Sequence, residues 1–178
     1  GRNPYKNFVY TSFQELATNI SHRRVASLVK KTGNTLLAKI NGIIAADEAR
    51  HASAYSDFVK RIFELDPSQM MTSFEDMMRR KIVMPAHFMR QSGDKVGELW
   101  SHFSDAAQRT KVYTAQDYIN ILSSLIIDWD IDKIAYLNEA GEKARDYIMA
   151  LPNRLQNITN RMQEPEKEFE FKWIGPTI

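Results

Sequence analysis

Glu48 and His51 stand three residues apart in Ala45-Ala46-Asp47-Glu48-Ala49-Arg50-His51, inside a stretch that is otherwise apolar at helical spacing. Leu37, Ile40, Ile44, Glu48, His51, Tyr55, Phe58 and Ile62 recur at steps of three and four, which stacks side chains on one helix face. The pattern turns the acid and the imidazole inward. A buried, unpaired carboxylate costs on the order of several kcal/mol, so it must meet a cation, a strong donor or a metal ion. Glu-x-x-His on one face, joined by a Glu from a neighbouring helix, is the ligand pattern of carboxylate-bridged di-iron and di-manganese centres in helical bundles. The same spacing also arises on solvated helices, so metal ligation and an ordinary surface pair both stand at this point. The apolar flanks favour the metal.

The elements that would carry such a site read as helices throughout. Asn3-Pro4 suggests an irregular entry over residues 1–10. Two overlapping capping boxes, Thr11 with Gln14 and Ser12 with Glu15, predict a helix start there. Glu15 then lies off the apolar stripe of Phe13, Leu16, Ala17 and Ile20, and on spacing alone it reads as a capping acid in solvent. Gly33 ends this helix and Asn34 caps the next, which runs to about Leu65 before Asp66-Pro67-Ser68. Its length suits a bundle whose helices span the domain.

Thr72 with Glu75 predicts a third helix through Lys81, and Pro85 a kink or restart after it. Met70, Met71, Met77, Met78, Met84 and Met89 are concentrated here; they suit adaptable core packing, or a deformable lining for a flexible apolar ligand. A loop over 93–97 leads to Leu99-Trp100-Ser101-His102-Phe103. Thr114 with Asp117 caps a helix through about Ile127, and a last helix is expected from Glu142 to about Met162, bent near Pro152. The charged tail ends in Phe169, Phe171, Trp173 and Ile174, an edge strand or an apolar anchor. The expected fold is all-α: two candidate ligand helices over 1–65, additional helices over 66–163 and a tail over 164–178, together one domain or part of one.

Composition narrows the function classes. The 178 residues suffice for one buried core. With no cysteine there is no disulfide framework, zinc ribbon or thiol nucleophile. Apolar runs fall far short of the ~20 residues of a membrane helix, and a net charge of +2 does not argue for nucleic acid. Neither membrane nor nucleic acid is therefore an expected partner. The start at Gly1 shows no signal or transit sequence and no initiating Met, so the compartment stays open.

Tyr10-Thr11-Ser12-Phe13-Gln14-Glu15-Leu16-Ala17-Thr18 and Asp47-Glu48-Ala49-Arg50-His51 together make the chain resemble the soluble acyl-acyl carrier protein desaturases. The likeness continues through Asp76-Met77-Met78-Arg79-Arg80-Lys81, Met84-Pro85-Ala86-His87, Val112-Tyr113-Thr114-Ala115 and Phe171-Lys172-Trp173-Ile174, in the right order along nearly the whole chain. It implies the carboxyl-terminal half of a ferritin-like di-iron bundle.

By that resemblance Glu15, Glu48 and His51 are iron ligands, which displaces the solvated reading of Glu15. Thr18 would sit beside the oxygen-binding face. Asp47 would orient a ligand histidine of the other half-site, as outer-shell partners do. Phe8, Thr18, Met84, Pro85 and Trp100 match positions lining a bent acyl channel. Leu16 replaces an Arg found in many members and Trp100 a Phe found in some, so a local salt bridge and the accepted chain length are both open to change. The family's other ligand Glu and its second Glu-x-x-His lie on helices upstream of anything in this sequence.

The implied activity is insertion of a cis double bond into an acyl chain on acyl carrier protein. It needs two iron ions and dioxygen (O2), because an unactivated methylene is far too weak an acid for side-chain bases. Ferredoxin or a similar donor would supply electrons, and a homodimer is expected. The acidic carrier calls for a basic rim, with Arg79, Arg80, Lys81, Lys95, Arg154 and Arg161 as candidates; singly, each also reads as a solvated charge. The location is either cytoplasmic, which is preferred, or the plastid stroma. Two rival readings remain: a ferritin-like iron store, and a degenerate homologue without activity.

Overall fold

Asn3 and Pro4 begin a helix. The Asn3 side chain accepts the Lys6 amide at 3.2 Å and Pro4 takes the first helical position, where its missing N–H costs nothing. The computed structural model describes residues 3–90 and 95–162, without the side chains of Pro85 and Ala86. Helix α1 therefore spans Pro4–Lys31, and the irregular entry expected over residues 1–10 is helical from Pro4 onward. Thr11 and Ser12 cap nothing. Inside the helix their hydroxyls donate back to the Asn7 and Phe8 carbonyls at 2.9 and 2.8 Å.

Gly33 turns the chain at φ +83° and Asn34 caps α2, Thr35–Leu65, through the Leu37 amide at 3.0 Å. At 31 residues α2 is about 46 Å long. Asp66 ends it and caps α3, Pro67–Arg80, so α3 starts nearly two turns before the Thr72 cap expected from sequence. A 3-10 turn, Pro85–Phe88, precedes α4, Glu98–Arg109. The capping box of Thr114 and Asp117 opens α5, Ala115–Asp128, as its sequence predicts. Helix α6, Glu139–Thr159, starts at an Asn138 cap and runs through Pro152, where a bend was expected. Ile148 and Leu151, buried on the turn before the proline, hold that segment against the core. All six helices and no strand are found among the described residues; the tail residues Phe169, Phe171, Trp173 and Ile174 lie outside them.

One core joins five helices. Val9, Phe13 and Ala17 of α1 meet Val59 and Phe63 of α2, Met70, Met71, Phe74 and Met78 of α3, Leu122 and Leu125 of α5, and Ile148 of α6. Met70, Met71 and Met78 are thus packing residues, whereas Met89 is exposed. Two polar ties brace the outside. Arg24 grips the buried Asp117 with both guanidinium nitrogens, at 2.5 and 2.7 Å, which locks α1 to the start of α5. The buried Trp129 indole donates to Ser56 at 2.8 Å, and Ser56 donates to Asp128, which also meets Lys60.

Tyr136 departs from these rules: it is 98% exposed and holds φ at +58°, a left-handed conformation that costs a residue with a Cβ about 1–2 kcal/mol. Tyr136→Gly is expected to raise stability by roughly 0.5–1 kcal/mol, the backbone relief being partly offset by glycine's freer unfolded state. Urea denaturation checks this; an unchanged or lower midpoint would refute it.

Candidate metal centre

Helices α1 and α2 meet along a seam that Phe8, Tyr55 and Phe58 mark at one end. Across that seam Glu15 reaches α2. His51 Nδ1 lies 3.2 Å from Glu15 Oε2 and 3.5 Å from Glu48 Oε2. One ligand atom from each of the three residues lies within 4.8 Å of the others. Two carboxylates and an imidazole form a donor set suited to iron, manganese or zinc, and the spacing leaves room for a cation between them.

The three residues face outward in part. The Glu15 and Glu48 side chains are 14% and 18% exposed, but that of His51 is 56% exposed, which corrects the inward placement expected from periodicity. Leu37, Ile40 and Phe58 on the same stripe are exposed as well. The stripe is real, and the described residues do not cover it.

Electrostatics mark the pair. Burial, followed by the hydrogen bond and negative charge of Glu48, pushes the Glu15 carboxyl up to about 7 against the partial counter-effect of His51. The hydrogen bond from Glu15 leads the causes that hold Glu48 below the usual carboxylate range, with help from His51 and Thr18 against its own burial. This arrangement favours a single proton held by Glu15 and directed at ionised Glu48. A bound cation would replace that proton and remove the repulsion.

Thr18 has a place beside the candidate donors. Its hydroxyl lies 3.1 Å from both the Gln14 and Glu15 carbonyls and also favours ionised Glu48; its one proton serves a single acceptor at a time. Asp47 pairs with Arg50 on its own helix, half exposed. Phe8 meets Tyr55 and Phe58, ring centroids 6.2 and 5.6 Å apart, on the uncovered face two turns before Glu15. Trp100 stacks on Phe103 at 5.7 Å, on a helix with no buried residue. Met84 is partly buried beside the 3-10 turn, and the side chain of Pro85 lies outside the described residues.

The proposed basic rim is gathered only in part. Arg79 lies 3.8 Å over the Tyr147 ring and Arg154 5.8 Å from it, bringing α3 and α6 cations to one spot. Arg79 also binds Glu75, and Arg80 binds Asp76. Lys81 is exposed just beyond α3, Lys95 precedes α4 and Arg161 follows α6.

Sequence reasoning passed over a second polar layer. Asn19 Nδ2 donates to the Ala45 carbonyl at 2.6 Å, and His22 Nδ1 meets Asn41 Oδ1 at 2.9 Å. The available signal was an Asn in each helix beside an apolar stripe, one turn from Glu15 on α1 and two turns before Glu48 on α2.

The family described as fatty acid desaturase matches residues 1–175. The chloroplastic stearoyl-[acyl-carrier-protein] 9-desaturase 1 of Arabidopsis thaliana is 47% identical over 176 residues, 97% of this chain and 44% of that protein. The chloroplastic stearoyl-[acyl-carrier-protein] 9-desaturase of Ricinus communis is 48% identical over 174 residues, 96% of this chain and 43% of its own. A chloroplastic palmitoyl-[acyl-carrier-protein] 4-desaturase 3 of Ophrys sphegodes is 44% identical over 176 residues, with 97% and 44% covered. The chain spans less than half the length of these curated relatives.

Proposed function

We propose that this chain, which belongs to the fatty acid desaturase family, contributes half of a di-iron centre to an enzyme that places a cis double bond in an acyl chain on acyl carrier protein. The observation that carries this reading is the convergence of Glu15, Glu48 and His51 across the α1–α2 seam, on a face left uncovered. A second Glu and a second Glu-x-x-His, on helices that would pack over that face, complete the ligand set in this proposal. When bound, the two irons supply the oxidising power to remove hydrogen from an unactivated methylene with dioxygen and donated electrons.

The residues of this chain do the rest. Glu15 and Glu48 give up their shared proton and offer two negative charges to the cations. His51 turns Nδ1, the nitrogen already directed at both carboxylates, toward the same point. Thr18 presents a hydroxyl beside Glu48 to orient or donate a proton at the centre. Phe8 extends an apolar wall from the site, and Met84, Pro85 and Trp100 are assigned to the acyl channel with it; a dry channel keeps water from the oxidant. Asp47 would exchange its Arg50 partner for a histidine of the other half-site.

The Arg79–Arg154 group around Tyr147, with Arg80 and Lys81, is the proposed landing for the acidic carrier. Lys95 and Arg161 extend it in this reading. Ferredoxin or a similar protein is the proposed electron donor and the homodimer the proposed assembly. The names of the relatives place those proteins in chloroplasts, which favours the stromal alternative over the cytoplasm preferred from sequence. No described helix is long and apolar enough to cross a membrane.

Turnover of the full-length protein with acyl carrier protein substrates, ferredoxin and a reductant tests the proposal. Mass spectrometry should show the acyl chain losing two hydrogens. Iron-loaded protein that consumes no acyl substrate under those conditions would overturn desaturation and restore the storage reading.

A further inference from the structure

Apolar contacts between α1 and α2, such as those of Phe8 with Tyr55 and Phe58, are not directional and by themselves leave small axial shifts of one helix along the other inexpensive. The metal site cannot tolerate that. One residue of slip moves a helical side chain by about 1.5 Å along the axis and 100° around it, which would part Glu15 from a His51 nitrogen now 3.2 Å away. Something directional must fix the register.

We propose that Asn19, backed by the His22–Asn41 pair, sets the axial register of α1 against α2 and so holds the Glu15 carboxylate against Glu48 and His51. The proposal rests on the metal-site reading above. Asn19 lies one turn beyond Glu15, and its acceptor Ala45 one turn before Glu48. Its carboxamide nitrogen reaches the Ala45 carbonyl itself, at 2.6 Å. That acceptor belongs to a hydrogen-bonded helical backbone and cannot yield as a side chain can, so the tether joins α1 to the frame of α2.

A turn further along, the antiparallel pair makes a second rung. Asn41 is buried and donates Nδ2 to the Leu37 carbonyl at 3.0 Å, which leaves its Oδ1 facing His22. His22 Nδ1 therefore carries the proton in this contact. Two rungs in sequence resist both sliding and rotation, where one would allow a pivot. Asn19 is not one of the three candidate donors; its part is that of a positioning residue.

An ordinary interhelical hydrogen bond would contribute modestly to stability and leave metal binding alone. Asn19→Leu, which keeps the branched outline of the side chain and removes the donor, separates the two cases in the full-length protein. Cobalt(II) affinity should fall about ten-fold, the size seen when outer-shell partners are lost, and the visible bands of bound cobalt should move. Val59→Ala, on the core side of α2, should lower thermal stability without moving either.

Asn41→Ala should weaken cobalt in the same direction by a smaller factor, and it serves as the test if Asn19→Leu does not fold. Cobalt affinity within about two-fold of wild type and unchanged bands in the folded variant would overturn the proposal. Should the wild-type protein take up no cobalt, the metal-site reading fails first. A crystal structure of the variant then decides register by itself: α1 displaced along α2 supports the proposal, and α1 unmoved ends it.

Discussion

In the full-length protein, Glu48→Ala and His51→Ala are each expected to abolish iron binding. Each residue supplies one of three donor atoms gathered within 4.8 Å, so neither has a substitute in the described half of the site. Loss of an outer-shell partner commonly weakens a metal by about 10–100-fold; loss of a ligand must exceed that. Alanine at position 48 also removes the acceptor of the Glu15 proton, so Glu15 is left partly buried with His51 alone. The fold should survive. Neither side chain belongs to the core of Val9, Phe13, Phe74 and Leu122, and His51 is largely exposed. Metal analysis of purified variants with unchanged circular dichroism reads the result. Two irons retained in either variant would remove the assignment.

The comparison of Asp47 with these two sharpens the test. Asp47 faces Arg50 and solvent here, so Asp47→Ala removes no donor atom from the half-site. In the desaturase reading it supports a histidine on the other half, and its loss should weaken iron by about ten-fold without emptying the site. Equal losses at 47 and 48 would place Asp47 among the ligands.

Helical spacing made the ligand face of α2 legible, because Glu48 and His51 interrupt an otherwise apolar stripe. Glu15 was not legible that way. Its spacing suits a capping acid as well as a ligand, and the choice depended on a helix start that the sequence placed at Thr11 while Asn3 and Pro4 set it earlier. Capping chemistry is local and degenerate: Thr11, Ser12 and Thr72 all fit a cap, but each donates back to a carbonyl within its own helix. Thr114, whose partner Asp117 is also held by Arg24, truly caps.

Exposure was misread for one reason. A periodic apolar stripe says that a face is covered, and not by what. Leu37, Ile40, Phe58 and His51 are exposed among the described residues; in the proposal above, a second pair of helices covers them. Asn19 and Asn41 could be marked as polar residues beside an apolar stripe, but their pairing was not legible, because an interhelical hydrogen bond depends on the crossing point of two helices, which spacing along one chain does not encode.

The second large effect is a reversal of stability at Glu15. Its carboxyl titrates at about 7 in the folded protein against 4.5 as the ordinary value. Between those values the folded state holds the extra proton, so the stability of the metal-free protein should fall as pH rises from 4.5 to 7 and level off above. Glu48 does not cancel this. Its pKa is lowered, so its contribution is lost only below the ordinary value, in a separate and more acid window. Glu15→Gln gives Glu48 a neutral donor at every pH. The slope between 4.5 and 7 should vanish, and at pH 8 the metal-free variant should exceed wild type by about 2 kcal/mol, somewhat less than the full shift implies at 1.36 kcal/mol per pKa unit. With iron present the order reverses, because the amide has lost the charge that binds the cation and wild type alone gains stability from the metal. Urea denaturation at pH 5 and pH 8, with and without iron, measures all four corners. Parallel pH profiles for wild type and Glu15→Gln without metal would mean that the two carboxyls share no proton.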